Sequence, residues 1–328
     1  MISLHIVEDI RRVQTPAEEQ AAMAREVRAG LAARPLPFLP SNYFYDEQGG
    51  ALFDEITRLP EYYLTRCERA ILEAHAADIA REAEADTLIE LGSGTSAKTR
   101  LLLSAMSAAG TLERFVPFDV DEATLRTAAA AVVEEYPGVA VHAVVGDFER
   151  HLRLLPSGGT RMVAFLGSTI GNLTPAVRAR FLADLAATLV PGDQLLLGVD
   201  LVKAPERILA AYDDPGGVTA AFSRNVLRVL NDRLGADFVP DAFDHVPRWD
   251  SEHEWVDIRL RSRTAQVVRI PGLDLEVRLA AGEEIHTEIS AKFRRERIAA
   301  ELRGSRLEVG RWWTDPGEGF GVALARRL

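Results

Sequence analysis

The sequence predicts an α/β protein, with a mostly parallel, doubly wound sheet joined to a second part of mixed α+β character. Three observations predict it. Short apolar runs alternate with helical runs between Thr87 and Asp200, and such alternation implies a parallel sheet with helices on its faces. The first run, Thr87–Leu91 (TLIEL), turns through Gly92 and Gly94 into a segment of helical periodicity opened by Thr95 and Ser96. After Asp200 the pattern changes to helices followed by alternating strands.

Each element has a local reason. Thr15-Pro16-Ala17-Glu18 starts a helix, with Thr as N-cap, Pro at the first helical position and Glu where a capping box needs it. That helix runs to about Ala33 and is stopped by Pro35, Pro37 and Pro40. Ser41–Gly50 (SNYFYDEQGG) is an aromatic-rich loop. A second helix, about Ala51 to Leu59, ends at Pro60, and Thr65 with Glu68 caps a long helix to about Ala83. Strands are expected at Thr87–Leu91, Arg114–Asp119, Val139–Val145, Met162–Leu166 and Gln194–Asp200, with helices between them that include Asp121–Tyr136 and Pro175–Leu189. Helices near Pro205–Tyr212 and Val218–Leu234 lead to strand-rich Phe243–Ser290, where Pro271-Gly272 and Ala281-Gly282 read as turns. A helix at about Lys292–Leu302 and two strands, Arg306–Trp312 and Gly319–Ala325, close the chain as an antiparallel pair.

Composition narrows the function classes. The chain has 328 residues, 47% hydrophobic and 27% charged, as expected of a globular protein. A net charge of −11 leaves no basic surplus for phosphates, against a nucleic-acid or anionic-membrane partner. No apolar run reaches the ~20 residues of a membrane span, and MISLHIVEDIRR is too acidic for a signal peptide. Cys67 is the only cysteine, so an internal disulfide is ruled out, a reducing cytoplasm fits, and a small buried residue is the reading for its side chain. The seven histidines show no metal-binding spacing, and no metal is expected. A monomer is the default, since no heptad or long apolar edge appears.

The strand tips carry the chemistry. A strand that turns into a helix through glycines aims unpaired helix N–H groups at whatever lies above, and the backbone can come close to it. Asp119 ends the second strand, where a carboxylate accepts from ribose hydroxyls. Gly146-Asp147-Phe148 ends the third and offers a carboxylate and an aromatic face for an adenine. Gly167–Leu173 (GSTIGNL) ends the fourth and faces the substrate side of such a sheet. Lys98 lies one turn into the first helix. Each residue also has a plainer reading: Asp119, Asp147 and Asn172 as helix caps, Lys98 as a surface charge. The glycine turn alone fits an NAD-dependent oxidoreductase as well. That alternative leaves Gly146-Asp147-Phe148 and the closing antiparallel pair unused, whereas class I methyltransferase sheets end on such a pair.

LIELGSGTSAKT, PFDVD, GDF, FLGSTIGNL and EIHTEISAKF together resemble the S-adenosylmethionine-dependent histidine Nα-methyltransferases of ergothioneine biosynthesis, over nearly the whole chain. The GSTIGN and TEISAKF blocks are much more specific than the glycine turn. The resemblance implies a class I (Rossmann-like) methyltransferase core from about 66–202 and 292–328, and a substrate-binding domain from about 15–65 and 203–291. It implies that Gly92, Lys98, Asp119, Asp147 and Phe148 hold S-adenosylmethionine. Tyr62, Asn172, Tyr212, Glu288 and Ser290 would hold L-histidine, and Tyr45, Phe53 and Gly167 would line the space around the reacting amine. One departure is Ile258, where the histidine enzymes carry Met; both are apolar and similar in volume. Relatives in the wider family methylate tryptophan derivatives. A carboxylate and a hydroxyl at Glu288 and Ser290 pair with both nitrogens of an imidazole, whereas indole has one N–H donor. A non-catalytic methyltransferase-like subunit and a protein methyltransferase are the remaining alternatives. The intact substrate set speaks against the first, and a domain that encloses a free amino acid against the second.

Two substitutions separate the halves of this site. Asp119→Ala is expected to weaken the cofactor first. Glu288→Ala is expected to cut histidine turnover severely while cofactor affinity, measured by calorimetry, stays nearly unchanged.

Overall fold

The structure is a computed structural model, and it describes residues 11–12 and 15–328. The stretch Met1–Ile10, weighed above as a leader, lies outside the described residues. The chain divides into two compact units. The first comprises 64–202 and 292–328 with Arg11–Arg12, and the second comprises 15–63 and 203–291. The strands, in chain order, are β1 (Arg11–Arg12), β2 (Thr87–Leu91), β3 (Arg114–Asp119), β4 (Ala140–Val141), β5 (Val144–Val145), β6 (Arg161–Phe165), β7 (Gln194–Asp200), β8 (Phe243–Asp250), β9 (Trp255–Ser262), β10 (Gln266–Ile270), β11 (Leu275–Leu279), β12 (Glu284–Ala291), β13 (Leu307–Thr314) and β14 (Phe320–Arg327).

In the first unit the sheet order is β1-β5-β3-β2-β6-β7-β14-β13, with β4 also paired to β3. Every pairing up to β7 is parallel, while β14 runs antiparallel to both β7 and β13. β2 and β6 are buried at every position, as central strands covered on both faces must be. The helices Tyr63–Ala83, Thr99–Ala108, Glu122–Glu135, Pro175–Thr188 and Arg295–Gly304 complete the unit.

In this unit four expectations about element bounds change. The run Val139–Val145 is not one strand but β4 and β5. The cause is Pro117: Glu113, Phe115 and Asp119 accept bonds from that edge through their carbonyls, so Pro117 faces it too and has no N–H to give the ladder. The first crossover helix starts at Thr99, because left-handed residues at Gly92, Gly94 and Ser96 lengthen the turn before it. Lys98 therefore stands at the N-cap and not one turn inside. The long helix starts at Tyr63 and not at a Thr65 cap, which puts Glu68 within its second turn. The last helix starts at Arg295, since Phe293 is held in extended form by its N–H bond to the Asp200 carbonyl, 2.8 Å.

The second unit holds a three-stranded antiparallel sheet, β12-β9-β8, and the hairpin β10–β11. Helix Pro16–Ala32 has the full capping box from Thr15 and Glu18. Helix Glu47–Ile56 begins before Ala51 because Asp46 caps it, accepting from Gly49 N–H at 2.8 Å. Helix Val218–Leu234 ends on left-handed Gly235. Among the described residues no helix is long and apolar enough to cross a membrane.

The first unit's core contains a buried ion pair, Arg161–Asp193. Asp193 also accepts from the backbone N–H groups of Arg161 (2.9 Å) and Val190 (2.8 Å), and Arg161 donates to the carbonyls of Pro156 and Thr188. Removing one partner strands the other charge in the core. Asp193→Ala is expected to lower the unfolding free energy by about 3–5 kcal/mol in urea denaturation.

Candidate active site

The loop after β2 is shaped by two carboxylates, Glu90 buried and Asp119 half-buried. Glu90, in the middle of an apolar strand, accepts from Ser96 Oγ at 3.0 Å and from Thr99 Oγ1. Burial pushes its carboxyl up to about 7, against the pull of those two hydroxyls. Asp119, at the end of β3, accepts from Gly94 N–H at 2.8 Å and from Asp121 N–H at 3.0 Å. Burial pushes the Asp119 carboxyl up as well, opposed by the same two amides. The helix-cap reading of Asp119 fails, because Asp121 caps helix Glu122–Glu135. For Asp147 the cap reading holds: it caps Phe148–His151 through Glu149 N–H at 2.8 Å. The Phe148 ring packs edge-on against Phe165 (5.2 Å) and Phe181 (5.9 Å). It also stands 3.8 Å from where a Cβ on Gly92 would be. Ser93 Oγ is buried at the glycine turn without a hydrogen-bond partner.

The turn after β6 carries Gly167 and Ser168, both left-handed, and Asn172 closes the short 3-10 turn Thr169–Asn172. The helix that follows is capped by Thr174, as expected, and not by Asn172. Gly167 N–H donates to Glu68 Oε1 at 2.7 Å, and Lys98 pairs with the other oxygen of Glu68. Thus the first unit brings Gly92, Lys98, Asp119, Asp147, Phe148 and Gly167 to the carboxyl-terminal ends of its parallel strands.

The second unit carries Tyr45, Phe53, Tyr62, Tyr212, Glu288 and Ser290. Tyr45 and Phe53 meet edge-on at 5.7 Å, Phe53 lies 6.4 Å from Tyr62, and Tyr62 lies 6.3 Å from Tyr212. Tyr212 Oη and Ser290 Oγ share a hydrogen bond of 2.7 Å. Glu288 reaches the same strand face by a bulge. β12 pairs His286 with Arg259 but Glu288 with Ile258, so Thr287 is an extra residue. That insertion reverses the alternation. Glu288 and Ser290 consequently share the face of Ile258 and Val256, while His286 stays on the opposite face with Arg259. Without the bulge the three would line up together. His286 helps fix the strand edge instead, its N–H bonded to the Pro37 carbonyl at 2.9 Å.

Several residues of this arrangement were not singled out from the sequence. Phe222, on helix Val218–Leu234, packs at a tilt against Phe44 (5.3 Å) and Phe53 (5.9 Å) and edge-on against Tyr45 (5.4 Å). Asn225, three residues on, is fully buried and bonds the Phe44 carbonyl (3.1 Å) and Asp46 (2.7 Å), pinning the aromatic loop. His245 Nε2 bonds the Tyr212 carbonyl at 2.7 Å, and burial holds its imidazole below the usual range. Glu90 left a sequence signal, a charge inside an apolar run; Phe222, Asn225 and His245 left none. Among the described residues no group of His, Cys, Asp and Glu is placed to hold a metal ion.

A profile of the histidine-specific, S-adenosylmethionine-dependent methyltransferases matches residues 23–327. The chain belongs to this family. It is therefore a methyltransferase whose donor is S-adenosylmethionine, and the sheet is the class I, Rossmann-like one. The donor fits the residues present. The partnerless Ser93 hydroxyl, the left-handed glycines and the Asp119 carboxylate offer both donors and acceptors to a nucleoside. Two relatives are named histidine N-alpha-methyltransferase. That of Mycolicibacterium smegmatis is 59% identical, covering 93% of this chain and 95% of the relative. That of Mycobacterium tuberculosis is 55% identical over the same shares. Ergothioneine biosynthesis protein 1 of Schizosaccharomyces pombe is 37% identical over 60% of this chain and 27% of its own length.

Glu90 gives the family member a pH signature. Its folded pKa lies above the unfolded one, so its contribution favours folding at low pH and is lost as pH rises toward about 7. Glu90→Gln is expected to flatten this dependence. The wild type should lose up to about 3 kcal/mol relative to the variant between about pH 5 and pH 8, read by urea denaturation.

Proposed function

We propose that this protein transfers methyl groups from S-adenosylmethionine to the α-amine of L-histidine in three successive steps, giving Nα,Nα,Nα-trimethylhistidine (hercynine), the first step of ergothioneine biosynthesis. The similarity to two histidine N-alpha-methyltransferases along almost the full length supports the substrate. The observation that carries the imidazole reading is the β12 bulge, which turns Glu288 onto the face where Ser290 already bonds Tyr212. A carboxylate and a hydroxyl on one face suit a ring with two nitrogens.

In this proposal residues 66–202 and 292–328 form the methyltransferase core, and 15–65 and 203–291 the substrate-binding domain. The division of the chain into two compact units supports the boundaries. Gly92, Lys98, Asp119, Asp147 and Phe148 hold the donor. Asn172 and Tyr212 fix the carboxylate of histidine, and Tyr62, Glu288 and Ser290 fix its imidazole, with Ile258 as an apolar neighbour of the ring.

The donor supplies an activated methyl on a sulfonium, so neither a metal nor a covalent nucleophile is required. The protein has to hold the nitrogen lone pair in line behind the methyl carbon. Orientation of this kind supplies up to ~7–11 kcal/mol of a barrier. The amine attacks as the neutral base; its proton leaves to water, assisted by Tyr45. The product is a quaternary ammonium with no N–H left to donate. Aromatic faces are its natural support, and the joined rings of Tyr45 and Phe53 supply them, with Gly167 leaving space. A monomeric, cytoplasmic enzyme without nucleic-acid or membrane partners completes the proposal; the net charge of −11 supports the absence of a nucleic-acid or anionic-membrane partner.

Mass spectrometry of the protein incubated with S-adenosylmethionine and a mixture of all free amino acids tests it. The expected product is trimethylated histidine alone. A methylated tryptophan, or histidine methylated on the ring, would overturn the proposal.

A further inference from the structure

Glu68 has no role in the scheme above, yet three segments of the first unit are built around its carboxylate. It sits in the second turn of helix Tyr63–Ala83 with its side chain fully buried. A charge in such a place persists only when paired and hydrogen-bonded. One oxygen accepts the Gly167 N–H at 2.7 Å, and the other pairs with the Lys98 ammonium. On β7, Gly198 makes the room: a Cβ there would stand 2.0 Å from Glu68 Oε1. The turn after β6, the residue that caps the first crossover helix and a strand position without a side chain thus meet one carboxylate.

The pair is unevenly exposed. The Lys98 side chain is 22% exposed and that of Glu68 is 0%. The Glu68 carboxylate is therefore closed to water, while the Lys98 side chain is not. Helix Thr99–Ala108 begins at the next residue, so the positive end of its dipole adjoins the residue that carries the ammonium. A site of this kind suits an anion. The one anionic group of S-adenosylmethionine is the carboxylate of its amino-acid end.

We infer that Glu68 is a positioning residue: it aims the Lys98 ammonium at the carboxylate of the donor's amino-acid end and holds the Gly167 turn clear of it. This rests on the placement of Lys98 and Gly167 proposed above. A lysine stem on its own samples many rotamers. Anchored to a buried carboxylate, it presents its charge in one place before the donor arrives, which removes an ordering cost from binding.

Calorimetry on the full chain with two probes tests the inference. S-adenosylhomocysteine has the amino-acid end, and 5′-methylthioadenosine has the nucleoside and sulfur without it. Glu68→Gln keeps an acceptor for Gly167 but turns an N–H donor toward Lys98. It is expected to weaken S-adenosylhomocysteine about tenfold and to leave methylthioadenosine within about twofold. Gly198→Ala, which displaces the same carboxylate from outside, is expected to give the same split, and it serves if Glu68→Gln does not fold. Equal weakening of both probes would mean a structural role only and overturn the inference, as would unchanged S-adenosylhomocysteine affinity. Lys98→Ala separates the two layers. If it leaves S-adenosylhomocysteine binding intact, the placement of Lys98 is wrong and the inference falls with it. If it weakens binding while folded Glu68→Gln does not, only the inference fails.

Discussion

Carboxylates withdrawn wholly or partly from water shape the strand tips of the first unit. Taking a carboxylate out of water is costly unless donors converge on it. Near the strand tips the donors are the loops themselves. Glu90 gathers the hydroxyls of Ser96 and Thr99, Asp119 the amides of Gly94 and Asp121, and Glu68 the amide of Gly167 and the ammonium of Lys98. Each loop is thus bound to a fixed point in the core. The glycine turn, the N-cap lysine and the turn after β6 acquire one shape because any other leaves a carboxylate unsatisfied.

The second unit achieves its rigidity by different means. Its aromatic side chains pack at tilted and edge-on angles around Phe222, and one buried amide, Asn225, ties the loop that carries Tyr45 to helix Val218–Leu234. Gly49 belongs to the same contact, since a Cβ there would stand 1.7 Å from the Phe44 carbonyl oxygen. Polar chemistry enters through a single inserted residue in β12. The bulge at Thr287 decides that Glu288, and not His286, stands beside Ser290. The quaternary ammonium product proposed above calls for apolar, electron-rich faces at one end and hydrogen-bonding groups at the other. In that proposal the ring cluster and the bulged strand supply them.

Much of this was legible from residue patterns. The parallel sheet followed from alternating runs, and the closing antiparallel pair from two strands after a helix. Thr15 and Glu18 form the capping box their spacing predicts. Element ends were less legible. Pro117 was visible in the sequence, but which neighbour it faces depends on strand register, so the break between β4 and β5 was not. The start of the first crossover helix moved for a similar reason: the left-handed Ser96 is held there by a bond to Glu90, a partner six residues back.

The sequence by itself determined the order of strands and helices, the glycine turn and the residues that resemble the family, since these depend on neighbours in the chain. Only the tertiary structure decided what Glu68 bonds, why β7 carries a glycine at 198, and how Phe222, Asn225 and His245 contact the aromatic residues. These depend on partners up to 181 residues apart, as Asn225 and Phe44 are. Side-chain periodicity reports only which face is buried, and burial alone does not say whether a polar side chain found its donors.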